Sequence, residues 1–135
     1  MEIVSEVASL RAQRLEIYES ELVSMSDWYS FNDGASIGGT GSENGKILRD
    51  VEHSNGARVT LEKVRDDCWT ITCGIYGWMV HTQFFLSEST AKIGFENTER
   101  ELGKILALIP LEDEADDERM RIAQDAIAGF VEQYQ

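Results

Sequence analysis

The stretch KILRDVEHSNGARVTLEKVRDDCWTITCGIYGWMVHTQFFL, Lys46 to Leu86, decides the fold, because apolar and polar residues alternate through it and turn signals divide it into strand-length pieces. Its first turn, HSNGAR at 53–58, admits two registers. A two-residue loop at Asn55-Gly56 sets Glu52 opposite Val59 and Asp50 opposite Leu61, mixing acids into an apolar face. A three-residue loop, Ser54 to Gly56 with Gly56 left-handed, instead pairs Val51 with Val59 and Glu52 with Arg58. Cross-strand partners should match in character and a one-residue slip exchanges the faces, so the second register is expected. The third strand then presents Trp69, Ile71, Cys73 and Ile75 on one face. A tight Tyr76-Gly77 turn brings Trp78, Val80, Thr82, Phe84 and Leu86 of the fourth strand beside them. The expected sheet is a four-stranded antiparallel meander with one strongly apolar face.

Before this region, Val4, Val7, Leu10, Leu15, Tyr18, Leu22 and Met25 recur at helical intervals, predicting an amphipathic helix from Glu2 to about Met25. SDWYSFNDG breaks that pattern and leads into a flexible Gly-rich loop at about 33–45. After Ser87, the stripe Ala91, Phe95, Thr98, Leu102, Ile105 and Ile109 predicts a helix ended by Pro110. A last helix from about Asp113 or Asp116 presents Met120, Ala123, Ile127, Phe130, Val131 and Tyr134. The expected fold class is therefore α+β in a single domain over 1–135: N-terminal helix, four-stranded antiparallel meander, two C-terminal helices packed on the sheet. The N-terminal helix is expected on the opposite sheet face. Trp69, Ile71, Val80, Phe84, Leu102, Ile105 and Phe130 are the expected core.

Lys and Arg number 12 against 25 Asp and Glu in 135 residues, a net charge of -13. Phosphate backbones are bound by clustered cations, so nucleic acid is not an expected partner; the same charge repels anionic membranes and attracts basic proteins. No apolar run reaches transmembrane length, and the first fifteen residues lack a signal-peptide pattern. With only Cys68 and Cys73 present, reduced thiols and a cytoplasmic location are expected.

SIGGTGSENGKI, Ser36 to Ile47, has the glycine content of a phosphate-binding loop. Counting back from Gly45-Lys46 puts Thr40 where the first glycine belongs, and Ile47 replaces the magnesium-binding hydroxyl. Cys73 and His81 offer a thiol-imidazole pair, but the tight turn places His81 on the opposite sheet face. His53, Cys68, Cys73 and His81 lack zinc-ligand spacing. No cofactor and no catalytic residue is assigned.

Two features point to protein binding. The hairpin tip GIYGWMV carries Tyr76, Trp78 and Met79 where turns are usually polar, and Tyr and Trp are favoured at binding hot spots. EDEADDE supplies Glu112, Asp113, Glu114, Asp116 and Asp117 as an electrostatic contact for a basic partner. The expected function is a non-catalytic, self-associating interaction module, similar in size, charge and class to bacterial immunity proteins and secretion chaperones. The alternatives are a small-ligand pocket between sheet and helices, or an enzyme. The latter rests on Glu96-x-x-Glu99 and Glu114-x-x-Asp117, whose spacing resembles that of the MazG-like all-helical nucleotide pyrophosphohydrolases. That resemblance implies magnesium held by Glu96, Glu99, Glu114 and Asp117 for pyrophosphate hydrolysis.

Overall fold

The computed structural model describes residues 27–135. The predicted N-terminal helix lies outside them. The described residues form an α+β fold whose sheet has five strands rather than four, in the order β1-β2-β3-β4-β5, every neighbour antiparallel. The strands are β1 (Trp28–Ser30), β2 (Lys46–His53), β3 (Ala57–Arg65), β4 (Cys68–Ile75) and β5 (Met79–Phe85). Helices α1 (Glu88–Leu108) and α2 (Asp117–Gln133) follow the sheet. The additional strand is β1, which pairs Trp28 with His53 and Ser30 with Val51. Three residues are too few to display an alternation, which is why WYS reads as loop.

The β2–β3 register is the expected one, with Val51 opposite Val59, Glu52 opposite Arg58, and a left-handed Gly56 in the turn. The β4–β5 register differs from expectation by one residue. Ile75 pairs with Met79, so the loop is Tyr76-Gly77-Trp78 rather than a two-residue turn. Gly77 supplies its left-handed corner at φ 82°, and the Trp78 amide donates to the Ile75 carbonyl at 2.9 Å. A slip of one residue exchanges the faces of a strand. His81, Gln83 and Phe85 therefore share the inner face with Cys73, Ile71 and Trp69. Val80, Phe84 and Leu86 point outward at 79%, 68% and 84% exposure, so Val80 and Phe84 leave the expected core. Trp69, Ile71, Leu102, Ile105 and Phe130 are buried as expected.

Helix α1 starts where Ser87 caps it, its hydroxyl accepting from the Thr90 amide at 3.2 Å, and ends just before Pro110. Its stripe Ala91, Phe95, Leu102 and Ile105 is buried with Val59, Leu61, Ile71 and Cys73 of the inner sheet face. Two polar side chains of this face find partners across the interface. The Gln83 amide donates to the Thr98 hydroxyl at 3.0 Å, and the Arg49 guanidinium lies 4.2 Å from the Phe95 ring centre. Helix α2 completes the layer on the β5 side, where His81 Nε2 donates to the Tyr134 carbonyl at 2.8 Å and the ring meets Phe130 edge-on.

The glycine-rich stretch, expected as a flexible connector, folds back as a hairpin-like arm on the start of β2. Gly38 donates to the Ile47 carbonyl at 2.8 Å and Ile47 to that of Gly39 at 2.9 Å. Glu62 of β3 anchors it. Its fully buried carboxylate accepts from the backbone amides of Glu43 and Gly45, both at 3.1 Å on Oε1. A side chain at Gly41 would overlap this carboxylate and push it from its place, so the close approach favours glycine. Replacing Glu62 by Ala leaves these amides without their acceptor. The expected outcome is a loss of about 2 kcal/mol in urea unfolding, with faster hydrogen exchange at Glu43 and Gly45.

Candidate interaction surface

The β4–β5 tip is built on the neighbouring hairpin. The Tyr76 amide donates to the Gly56 carbonyl at 2.9 Å, and the Tyr76 phenol donates to Glu52 Oε2 at 2.6 Å. The Tyr29 phenol donates to the other oxygen of the same carboxylate at 2.9 Å, so Glu52 ties β1, β2 and the tip together. These two phenol bonds, that of Tyr76 foremost, hold the Glu52 carboxyl below its usual range. Burial, followed by the bond to Glu52, pushes the Tyr76 phenol up to about 12.

The predicted aromatic residues are not equally presented. Tyr76 is 53% exposed, whereas Trp78 and Met79 are partly buried against the core. Trp78 and Gly77 form one wall of a groove of about 550 Å³, and Met120, Gln124, Ile127 and Ala128 of α2 form the other. Met120 stands one turn after Asp116 and Asp117, so this groove brings the tip and the acidic stretch to one end of the molecule.

In that stretch, Glu112–Glu114 form a short 3-10 turn, and Asp116 caps α2 by accepting from the Arg119 amide at 2.7 Å. Glu112, Asp113, Glu114, Asp116 and Asp117 are all exposed. Arg119 lies 3.8 Å from Glu114 and 3.7 Å from Asp116 as their counter-ion.

The carboxylates of the enzyme alternative are not brought together. Glu99 faces the sheet, 3.9 Å from Arg49, and burial pushes its carboxyl up against the pull of that guanidinium. Glu96 lies on the exposed side of the same helix, and Glu114 and Asp117 lie in the solvent-exposed acidic stretch. Among the described residues no three His, Cys, Asp or Glu side chains gather where they could hold a metal ion.

Cys73 and His81, expected on opposite faces, are register partners on the inner face. They still do not make an activated nucleophile. Burial pushes the Cys73 thiol up to about 12, and His81 Nε2 is engaged by the Tyr134 carbonyl. Cys68 and Cys73 are both free thiols.

Sequence reasoning missed the outer sheet face. There the Asp50 carboxylate accepts from Arg58 at 2.9 and 2.6 Å and from the Thr60 hydroxyl at 3.0 Å, while Phe31 stacks 3.5 Å from the Arg58 guanidinium. An open cavity of about 680 Å³ lies beside this cluster, between Gly41-Ser42 of the arm and Tyr76 of the tip, with Thr72 and Val80 on its floor. The small-ligand alternative placed its pocket between sheet and helices; this cavity is on the opposite face. The facing pair Asp50–Thr60 was visible once the register was chosen, but the arm that walls the cavity was not.

Comparison with protein-family models, with curated proteins and with solved structures gave no match. Among the described residues no helix is long and apolar enough to cross a membrane.

The Glu52–Tyr76 contact has a defined pH window. A lowered carboxyl stabilises the fold above its unfolded titration range and loses that contribution as pH falls through its folded value. A raised phenol stabilises below about 10 and loses its contribution as pH rises through about 12. In an absorbance titration, the transition absent from Tyr76→Phe should centre near 12 in the parent protein and move toward 10 in Glu52→Gln.

Proposed function

We propose that this protein is a non-catalytic interaction module that binds a protein partner with a basic surface. Tyr76, Trp78 and Met79 supply the apolar anchor, and Glu112, Asp113, Glu114, Asp116 and Asp117 supply the electrostatic contact. The observation that carries this reading is the groove shared by Trp78 and Met120, which sets an aromatic wall beside the acidic start of α2. Aromatic anchors contribute most of the energy in such contacts, while surrounding charges steer encounter and exclude like-charged proteins. The net charge of -13 favours a cationic partner over an acidic one.

The cavity on the outer face supports a second reading as a small-ligand-binding domain, because polar Arg58, Thr60 and Thr72 converge there with Tyr76. No observation favours the pyrophosphohydrolase alternative. A magnesium titration that perturbs the amides of Glu96, Glu99, Glu114 and Asp117 together would reinstate it.

The test is affinity capture from the source cell's lysate with the parent protein, Tyr76→Ala and Trp78→Ala, each checked for folding by circular dichroism. A cationic protein captured by the parent should be lost with Trp78→Ala and reduced with Tyr76→Ala. Its binding should weaken roughly tenfold or more when ionic strength is raised from low to well above physiological. Capture that is unchanged in both variants would remove the tip, and salt-independent capture would remove the acidic stretch.

A further inference from the structure

The two edges of the sheet are constructed differently. β1 is only three residues long and runs directly into a turn, which gives another strand little to pair with. β5 spans seven residues, MVHTQFF, with no Asp, Glu, Lys, Arg or Pro. Its pairing with β4 is unbroken from Ile75–Met79 to Trp69–Phe85, whereas β2–β3 and β3–β4 each contain an irregularity. Natural edge strands are ordinarily guarded by charge, proline, bulges or brevity, and β5 has none of these. Among the described residues no strand pairs with its outer side.

The sequence of β5 is complementary to itself. In an antiparallel pair centred on Thr82, Met79 stands opposite Phe85, Val80 opposite Phe84, His81 opposite Gln83, and Thr82 opposite its own copy. Apolar residues meet apolar ones and polar meet polar at every position. Aromatic against β-branched or aliphatic is among the stabilising cross-strand pairings, and the pair Val80–Phe84 occurs twice by symmetry. This pairing would cover the outward Val80 and Phe84, which nothing in the described sheet covers. The strand is also a neutral seam on a chain of net charge -13, so two copies can approach here without opposing carboxylates. Helix α2 lies over the tip half of β5, where Trp78 faces Ile127 across the groove and His81 meets Phe130 and Tyr134. A two-fold axis at Thr82 places the two copies of α2 on opposite sides of the axis.

From this geometry we infer that the protein forms a symmetric dimer with a second copy of itself through antiparallel pairing of β5, joining two five-stranded sheets into one. The dimer seam runs along the edge of β5 and shares only Met79 with the proposed partner site, so substitutions at its centre, Thr82, test it separately from the partner reading.

The experiment is sedimentation equilibrium on the full chain across a micromolar concentration series, with Thr82→Lys, Thr82→Glu and their equimolar mixture. The parent should dimerise. Each variant alone sets like charges face to face and should weaken the dimer roughly tenfold or more, while the mixture, with Lys opposite Glu, should recover it. A parent that stays monomeric, variants that dimerise as the parent does, or a mixture that fails to recover would each overturn the proposal. A second measurement guards against misfolded variants. Facing residues of an antiparallel pair lie within disulfide reach, so Thr82→Cys in a Cys68→Ser background should form a covalent dimer on mild oxidation. Failure to cross-link, with the protein folded, would overturn the proposal equally.

Discussion

The loop Tyr76-Gly77-Trp78 is the constraint on which the inner layer depends. One residue fewer would turn Val80 and Phe84 toward the helices and send His81 and Gln83 outward. With the register as it stands, His81 meets the end of α2 at the Tyr134 carbonyl, and Gln83 meets the middle of α1 at Thr98. Both helices therefore take polar docking points from a single strand. Those points carry direction, which apolar contact alone does not supply, and they specify where along β5 each helix sits.

This dependence also explains which parts of the fold were legible in the sequence. The β2–β3 register could be read because one choice matched Val51 with Val59 and Glu52 with Arg58, while the other mixed acids with aliphatics. In β5 the same reasoning points the wrong way. Val80, Phe84 and Leu86 form the more hydrophobic set, yet the set that is used is Met79, His81, Gln83 and Phe85. The polar members are acceptable inside because their partners, Thr98 and Tyr134, come from helices 15 and 53 residues away. Nothing local in MVHTQFF announces them. The arm at Ser36 to Gly45 was opaque for the same reason. Its glycines suggest freedom, and the carboxylate that holds them, Glu62, is 17 residues on from Gly45.

The candidate site was legible in composition but not in arrangement. Tyr76, Trp78 and the acids of 112–117 could be picked out as unusual for their positions, whereas their meeting at one end of the molecule depends on the path of α2. Conversely, Glu96 and Glu99 look equivalent along a helix, but one faces solvent and the other faces Arg49, so a spacing argument joins groups that packing separates. The outer face shows how a sheet can carry charge without a hydrophobic cover. Asp50 is satisfied by Arg58 and Thr60, and Glu62 by backbone amides, so these two buried carboxylates have donors to replace water.

Cys68 and Cys73 lie five residues apart on β4, so their side chains leave opposite faces of the sheet. No rotamer brings the two sulfurs within bonding distance while the strand is intact. The native fold therefore holds no disulfide between these two cysteines, whatever the redox state of its surroundings. An oxidant encounters only the half-exposed Cys68, while Cys73 is shielded by the core and by its high thiol pKa of about 12. Disulfide formation between these two cysteines would report that β4 has come apart, making the pair a built-in chemical record of unfolding.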